Sequence, residues 1–244
     1  MFSAAVFRDS KAFGKVKAAV ARIPRKVNAD EDLTDAETLE KFGILEAGAD
    51  FRIAGPVSLR TDRGVLDVSV VREGLALPSS AVKDARVETV RTEILLSVEN
   101  LAVFRECARR GVAEKCVLVY SGGLYSRRRM AMLGRVAAAM GKDAKLCHWG
   151  DMDLGGVMIF RHIKENCLPG VKPWLMSAEV LERYADRCEP VSREYADKVA
   201  RLAGHPALEE FNGAISMMAK RMVWLEQETI LCSEPGLVPI PGDC

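Results

Sequence analysis

The spacing of apolar and polar positions changes twice along the chain. Up to about Lys41 it is helical. "SKAFGKVKAAVARI" (residues 10–23) repeats apolar residues every three or four positions. "DEDLTDAETLEKFGI" (30–44) offers a helix start at Thr34, with Glu37 three residues on to complete a capping box. From Phe51 the pattern shortens to that of strands. "FRIAGPVSL", "GVLDVSVV" and "GLALP" are β-like runs punctuated by Gly, Pro and "TDRG", and "VVREGLAL" reads as a hairpin.

From Ile94 strand-like and helix-like stretches alternate. "ILLSV" precedes the helical "NLAVFRECARRG". "CVLVY" leads through "SGGLYS" into "RRRMAMLGRVAAAMG", and "KLCHW" leads through "GDMDLGG" into "VMIFRHIKEN". A fourth apolar piece, "VKPWLMS", precedes "AEVLERYADRC". The tail, "HPALEEFNGAISMMAKRMVWLEQETI", reads as one long amphipathic helix. Strands interleaved with helices imply βαβ units, an α/β fold and a parallel sheet with helices on both faces. The expected division is a helical and β-rich connector over residues 1–90 and an α/β domain with a C-terminal helix over residues 91–244.

Composition narrows the class without naming the chemistry. At 244 residues, 49% hydrophobic and 28% charged, the chain has the make-up of a globular protein. A net charge of +1 provides no global field for nucleic acid, so any basic surface must be local. The seven cysteines are odd in number and contain no CxxC pair, which argues for reduced thiols rather than a disulfide framework or zinc ribbon. No apolar run is long enough for a membrane helix and no signal peptide opens the chain, so the expectation is a cytoplasmic protein with no membrane partner.

The candidate chemistry lies where the strands end. In a parallel sheet, ligands bind beyond the carboxyl ends of the strands. Three of the predicted strands end at Glu99, at "SGG" after Tyr120, and at Asp151 with Asp153. Three carboxylates on one rim repel one another unless a cation lies among them, and a hard divalent ion such as Mg²⁺ or Mn²⁺ takes such oxygen ligands. An ion held there beside a phosphodiester would support hydrolysis. The glycines of "GDMDLGG" would permit close backbone approach and begin the next helix. Asp151 and Asp153 as helix-start residues remain the structural alternative.

Other aspartate-pair readings are weaker. An EF-hand loop beginning at Asp151 would place His162 where a carboxylate is needed. A haloacid-dehalogenase-type phosphatase carries its pair after the first strand, not the third. A nucleotide-sugar transferase stays open, as does a non-catalytic module with a vestigial acidic site.

In "SGGLYSRRR", Arg127, Arg128 and Arg129 follow a Gly-Gly turn at a predicted helix start. Together with the backbone amides and the Ser121 hydroxyl they form a candidate phosphate-binding element. Glu226 and Glu228 in "WLEQE" are candidate additional acids. Placed two apart on one helix they would not share a face; the default is a solvated pair, with one of them able to reach the site. His148 is either a core histidine or a phosphate contact, and Trp149 and Trp174 read as packing residues.

A strand ending in Glu, one ending in Gly-Gly and one ending in Asp-x-Asp resemble the Toprim domain of topoisomerases, primases and old-family nucleases. "LLSVENLAVF", "VLVYSGGLYSRRR", "HWGDMDLGGVMIFRHI" and "WLEQE" more closely resemble the C-terminal domain of the JetD family, the nuclease subunits of the bacterial Wadjet anti-plasmid system, related to the A subunit of type IIB topoisomerases. "VFRDSK" near the start is similar to a further family element. The resemblance implies a Toprim-like sheet and a Mg²⁺-dependent DNA endonuclease. It implies double-stranded DNA, a homodimer and SMC-like motor subunits as partners. It assigns Glu99, Asp151 and Asp153 to metal binding and catalysis.

Two features depart from that pattern. Family members carry a further N-terminal arm and DNA-binding region, which would lie before Met1. The tyrosine nucleophile of type IIB topoisomerases lies upstream of the Toprim part, whereas the four tyrosines here are Tyr120, Tyr125, Tyr184 and Tyr195. Water is therefore the expected nucleophile, unless a region before Met1 supplies the tyrosine.

Overall fold

Leu95, Leu96, Ser97 and Val98 are successive residues and all are buried, which requires a strand covered on both faces. They belong to β6 (Ile94–Val98) in a computed structural model that describes residues 50–242 and, before them, Phe13, Val16, residues 18–23, Thr38 and Leu39. The chain divides into two compact units, Met1–Ala49 and Asp50–Cys244. In the first, residues 18–23 are helical, as the spacing predicts. The Thr34–Glu37 capping box and "VFRDSK" lie outside the described residues.

In the second unit, β6 lies inside a six-stranded sheet. The other strands are β1 (Phe51–Ala54), β4 (Leu75–Leu77), β7 (Val117–Tyr120), β8 (Lys145–Trp149) and β9 (Lys172–Pro173), in the order β4-β1-β7-β6-β8-β9. β7, β6, β8 and β9 run parallel. β1 is antiparallel to both β4 and β7, so the sheet is mixed. The segment read as a "VVREGLAL" hairpin instead sends β4 across to β1. A smaller antiparallel sheet, β3-β2-β5, comprises β2 (Val57–Thr61), β3 (Gly64–Asp67) and β5 (Arg86–Val90), with "TDRG" as the β2–β3 turn.

Helices follow the strands as expected. After α1 (Ser79–Asp84), α2 (Leu101–Arg109) follows β6 and is capped by Asn100, whose side chain accepts from the amides of Ala102 and Val103. α3 (Arg127–Met140) follows β7, and α4 (Leu154–Asn166) follows β8 and is capped by Asp153. Apolar side chains of these helices close the core, where Phe160 of α4 packs edge-on against Phe211 with ring centres 4.7 Å apart. Then come α5 (Ala178–Arg183), α6 (Arg193–Ala200), α7 (Asn212–Arg221) and α8 (Gln227–Ser233).

The tail is not one helix. Met222 adopts a left-handed backbone (φ 54°) and ends α7. Val223–Trp224 (β11) then pairs with Glu189–Pro190 (β10), and Leu225 bridges to Met152. These pairings and the buried Leu225 outweigh the helical period, which restarts only at Gln227. Arg110, at the end of α2, donates to the carbonyls of Leu231, Glu234 and Leu237 and ties α8 to the body.

Candidate active site

The β6 and β8 ends meet as register demands. Val98 lies beside Trp149 in the parallel pair, and the Glu99 amide donates to the Trp149 carbonyl at 3.0 Å. Glu99 and the acidic loop 150–153 thus leave adjacent strands at the same rim. The loop then presses onto the first turn of α4. A Cβ on Gly156 would lie 2.0 Å from the Asp151 carbonyl oxygen, so only glycine permits this approach. A Cβ on Gly150 would meet Glu99 Oε2 at 2.7 Å and His148 Nε2 at 3.0 Å.

Each carboxylate is oriented by a backbone amide. The Asp151 amide donates to Glu99 Oε2 at 3.1 Å. The Gln227 amide donates to Asp151 Oδ1 at 2.8 Å, and the Gly156 amide donates to Asp153 Oδ1 at 2.7 Å. Burial pushes Glu99 up to about 7, opposed by the Asp151 amide, with the charges of Asp151 and Asp153 adding to the rise. Burial also raises Asp151, against the bond from Gln227, and the charges of Asp153, Glu226 and Glu228 push the same way. Among the described residues, no three His, Cys, Asp or Glu side chains close into a ligand cage. The arrangement is an open rim of acids.

Glu226 and Glu228 both act on Asp151, rather than one of them alone. Glu226 is the extended residue before α8 (φ −79°, ψ 144°), so helical geometry does not fix the angle between the two side chains. The residue between them was missed by the sequence reading. Gln227 is fully buried; its Nε2 donates to the Trp149 carbonyl at 2.7 Å and its Oε1 accepts from the Asn100 amide at 2.9 Å. It joins both acidic strand ends to α8. Its signal was an amide flanked by two acids, "EQE".

The basic element divides. Arg127 is exposed and Arg128 half-buried at the start of α3. Arg129 is buried, donates to the carbonyls of Tyr120 and Ser121, and stacks over the Tyr125 ring at 4.9 Å. It braces the Gly-Gly turn from within, so its expected place beside a phosphate is corrected. Third on its helix, it points away from Arg127 toward the core. The Ser121 hydroxyl is likewise buried and donates to the Val98 carbonyl, away from any surface ligand.

His148 is a core histidine. It is fully buried, its Nδ1 lies 3.1 Å from the Ser97 hydroxyl, and burial pushes it down to about 3. Trp149 is fully buried in the core. Trp174 is partly buried and packs against it, and its amide donates to the His148 carbonyl.

The comparisons with known proteins converge on one family. The family model for the Wadjet protein JetD C-terminal domain matches residues 56–234. The chain belongs to the JetD C-terminal family. It is also 24% identical over 232 residues to the Wadjet protein JetD of Bacillus cereus (strain Q1), covering 94% of this chain and 56% of that relative. The chain thus spans about half the length of the relative it matches. In this JetD-family chain, every acid of the rim falls inside the matched residues. No helix among the described residues is long and apolar enough to cross a membrane.

Proposed function

We propose that this JetD-family chain is the cleaving part of a metal-dependent DNA endonuclease, acting in Wadjet defence against plasmid DNA. The observation that carries this reading is the set of carboxylates on one rim, with burial and mutual repulsion pushing Glu99 up to about 7. Acids raised this way are stabilised by a nearby cation. Three carboxylates fit Mg²⁺ or Mn²⁺ in donor chemistry. An open rim also suits Mg²⁺, which usually keeps several waters and shares its shell between a few carboxylates and a substrate phosphate.

Glu99, Asp151 and Asp153 would hold the ion, and Glu226 and Glu228 add negative potential beside them. When bound there, the ion would supply charge neutralisation and polarisation of the phosphodiester. The residues of the chain do the rest. A water adds to phosphorus as one P–O ester bond breaks; Glu99, the acid/base candidate of the rim, takes the water's proton, and the departing oxygen is protonated from solvent. Arg127 and Arg128 bind neighbouring backbone phosphates, with the amides that open α3 beside them. A homodimer and SMC-like motor partners complete the reading. The rival, a non-catalytic DNA-binding module, is favoured only by the lack of a closed ligand cage among the described residues.

The test is nicking or linearisation of supercoiled plasmid with Mg²⁺, Mn²⁺ or EDTA, comparing the wild type with Glu99→Ala and Asp151→Ala. Metal-dependent cleavage lost in both variants supports the endonuclease. A wild type that neither cleaves nor binds metal by calorimetry sinks it and leaves the binding module.

A further inference from the structure

One of the four tyrosines, Tyr195, reaches the acidic rim. Tyr195 lies in the first turn of α6, 42 positions from Asp153. Its place there is fixed by its own helix cap, because the Ser192 side chain accepts from the Tyr195 amide at 3.2 Å. The side chain then crosses to the start of α4. The Leu154 amide donates to the Tyr195 hydroxyl oxygen at 3.1 Å. The hydroxyl donates in turn to Asp153 Oδ2 at 3.4 Å.

This pair of bonds has a direction. Leu154 is the first residue of α4, and its amide is one of the helix-start donors with no partner inside the helix. By accepting from that amide, the hydroxyl turns its own proton toward the carboxylate. Asp153 is consequently gripped on both oxygens: Gly156 on Oδ1 and Tyr195 on Oδ2. A carboxylate held by one amide alone can turn about its last side-chain bond. Held at both oxygens it cannot, and a fixed orientation is what a metal-binding oxygen gains from its supporting partners.

We infer that Tyr195 is a positioning residue that sets the Asp153 carboxylate for the divalent ion, an inference that rests on the metal-dependent reading above. The role needs only the hydroxyl, since the ring can pack without it. Tyr195→Phe in the full chain is therefore the informative variant.

Mn²⁺ and Mg²⁺ affinities are measured by calorimetry for the wild type and Tyr195→Phe, with melting in EDTA alongside, and with cleavage followed across a metal titration. The expected result is a roughly 10-fold or greater loss of metal affinity, a matching rise in the metal concentration needed for half-maximal cleavage, and substantial recovery at saturating metal. Melting in EDTA should change little, which separates positioning from general damage. Equal metal affinity in the two proteins, with the wild type binding metal, overturns the inference and leaves the endonuclease standing. A wild type that binds no metal removes both. A covalent tyrosine–DNA adduct abolished by Tyr195→Phe overturns the positioning role in favour of a nucleophile.

Discussion

Asp151 and Gln227 lie 76 positions apart and are joined by one short bond, from the Gln227 amide to Asp151 Oδ1 at 2.8 Å. The same residue holds the Trp149 carbonyl and the Asn100 amide through its buried side chain. Gln227 therefore ties α8 to the ends of β6 and β8, and so to the segments that carry Glu99 and Asp151. Gln227→Leu keeps the volume but strips the Asn100 amide of its acceptor and leaves the Trp149 carbonyl with the Glu99 amide alone. The expected loss is about 1–3 kcal/mol of stability, read by denaturant unfolding. Metal affinity should fall with it even at temperatures where the variant remains folded. Unchanged stability would mean that α8 does not brace the rim.

Gly156 makes a sharper demand. Any side chain there would meet the Asp151 carbonyl oxygen at 2.0 Å, and that atom belongs to backbone that cannot simply rotate aside. Gly156→Ala should cost about 3 kcal/mol, the upper end of the range for overpacking, and displace the acidic loop. Gly170→Ala is the control, because nothing lies within 4 Å of its added Cβ. Comparable melting of the two variants would count against the tight loop.

The pH dependence carries two opposed signs. Glu99 has an ordinary value of 4.5 and is pushed up to about 7 in the fold. Between these values the folded state binds more protons than the unfolded one, so stability falls as pH rises through the window and stays lower above it. Glu99→Gln keeps the acceptor for the Asp151 amide but cannot ionise. In EDTA it should melt above wild type at pH 8 by about 2–4 °C, the gap closing by pH 5. Added Mg²⁺ should raise the wild type more than the variant. His148 works in reverse. Its ring has an ordinary value of 6.5 and is pushed down to about 3, so its contribution is present above 6.5 and is lost as pH falls toward 3. His148→Gln should flatten that acid limb and leave the alkaline limb unchanged. A Glu99→Gln protein that follows the wild-type melting curve at every pH would remove the raised carboxyl.

The parts of this fold that were legible in the sequence are those governed by local rules. The strand-to-helix switches at Val98, Tyr120 and Trp149 follow from runs of buried apolar residues ended by Glu-Asn, Gly-Gly and Gly-Asp. Parallel pairing then puts Glu99 and Asp151 on one rim. What escaped was set by contacts distant in sequence. The helical period of the tail is sound around Ile215 and Met218, yet Leu225 breaks it to pair with Met152. Arg129 carries the same charge as Arg127, and only its position on the helix sends it inward to the Tyr120 and Ser121 carbonyls. Nothing near Tyr195 in sequence hints at Asp153, because the α6-to-α4 crossing that joins them is a property of the packed chain.

That division among the arginines gives a last prediction, in which residues of one type behave in two ways. If Arg127 and Arg128 bind DNA phosphates, each contact releases condensed counterions, and the logarithm of affinity falls with the logarithm of salt by about 0.9 per phosphate. The double variant Arg127→Ala, Arg128→Ala should bind duplex DNA more weakly at every sequence and show a salt slope shallower by about 2. Its melting should fall less than that of an Arg129 variant, since Arg127 is exposed and Arg128 half-buried whereas Arg129 is buried. Arg129→Met should do the opposite. It strips donors from two carbonyls of the turn and removes a buried cation stacked on Tyr125, so unfolding is easier by about 2–3 kcal/mol, while the salt slope of the surviving folded protein is unchanged. Fluorescence anisotropy across a salt series, paired with thermal melting, separates the two effects. If the double variant keeps the wild-type salt slope, the start of α3 is not where DNA binds, and the phosphate contacts must lie on another basic surface.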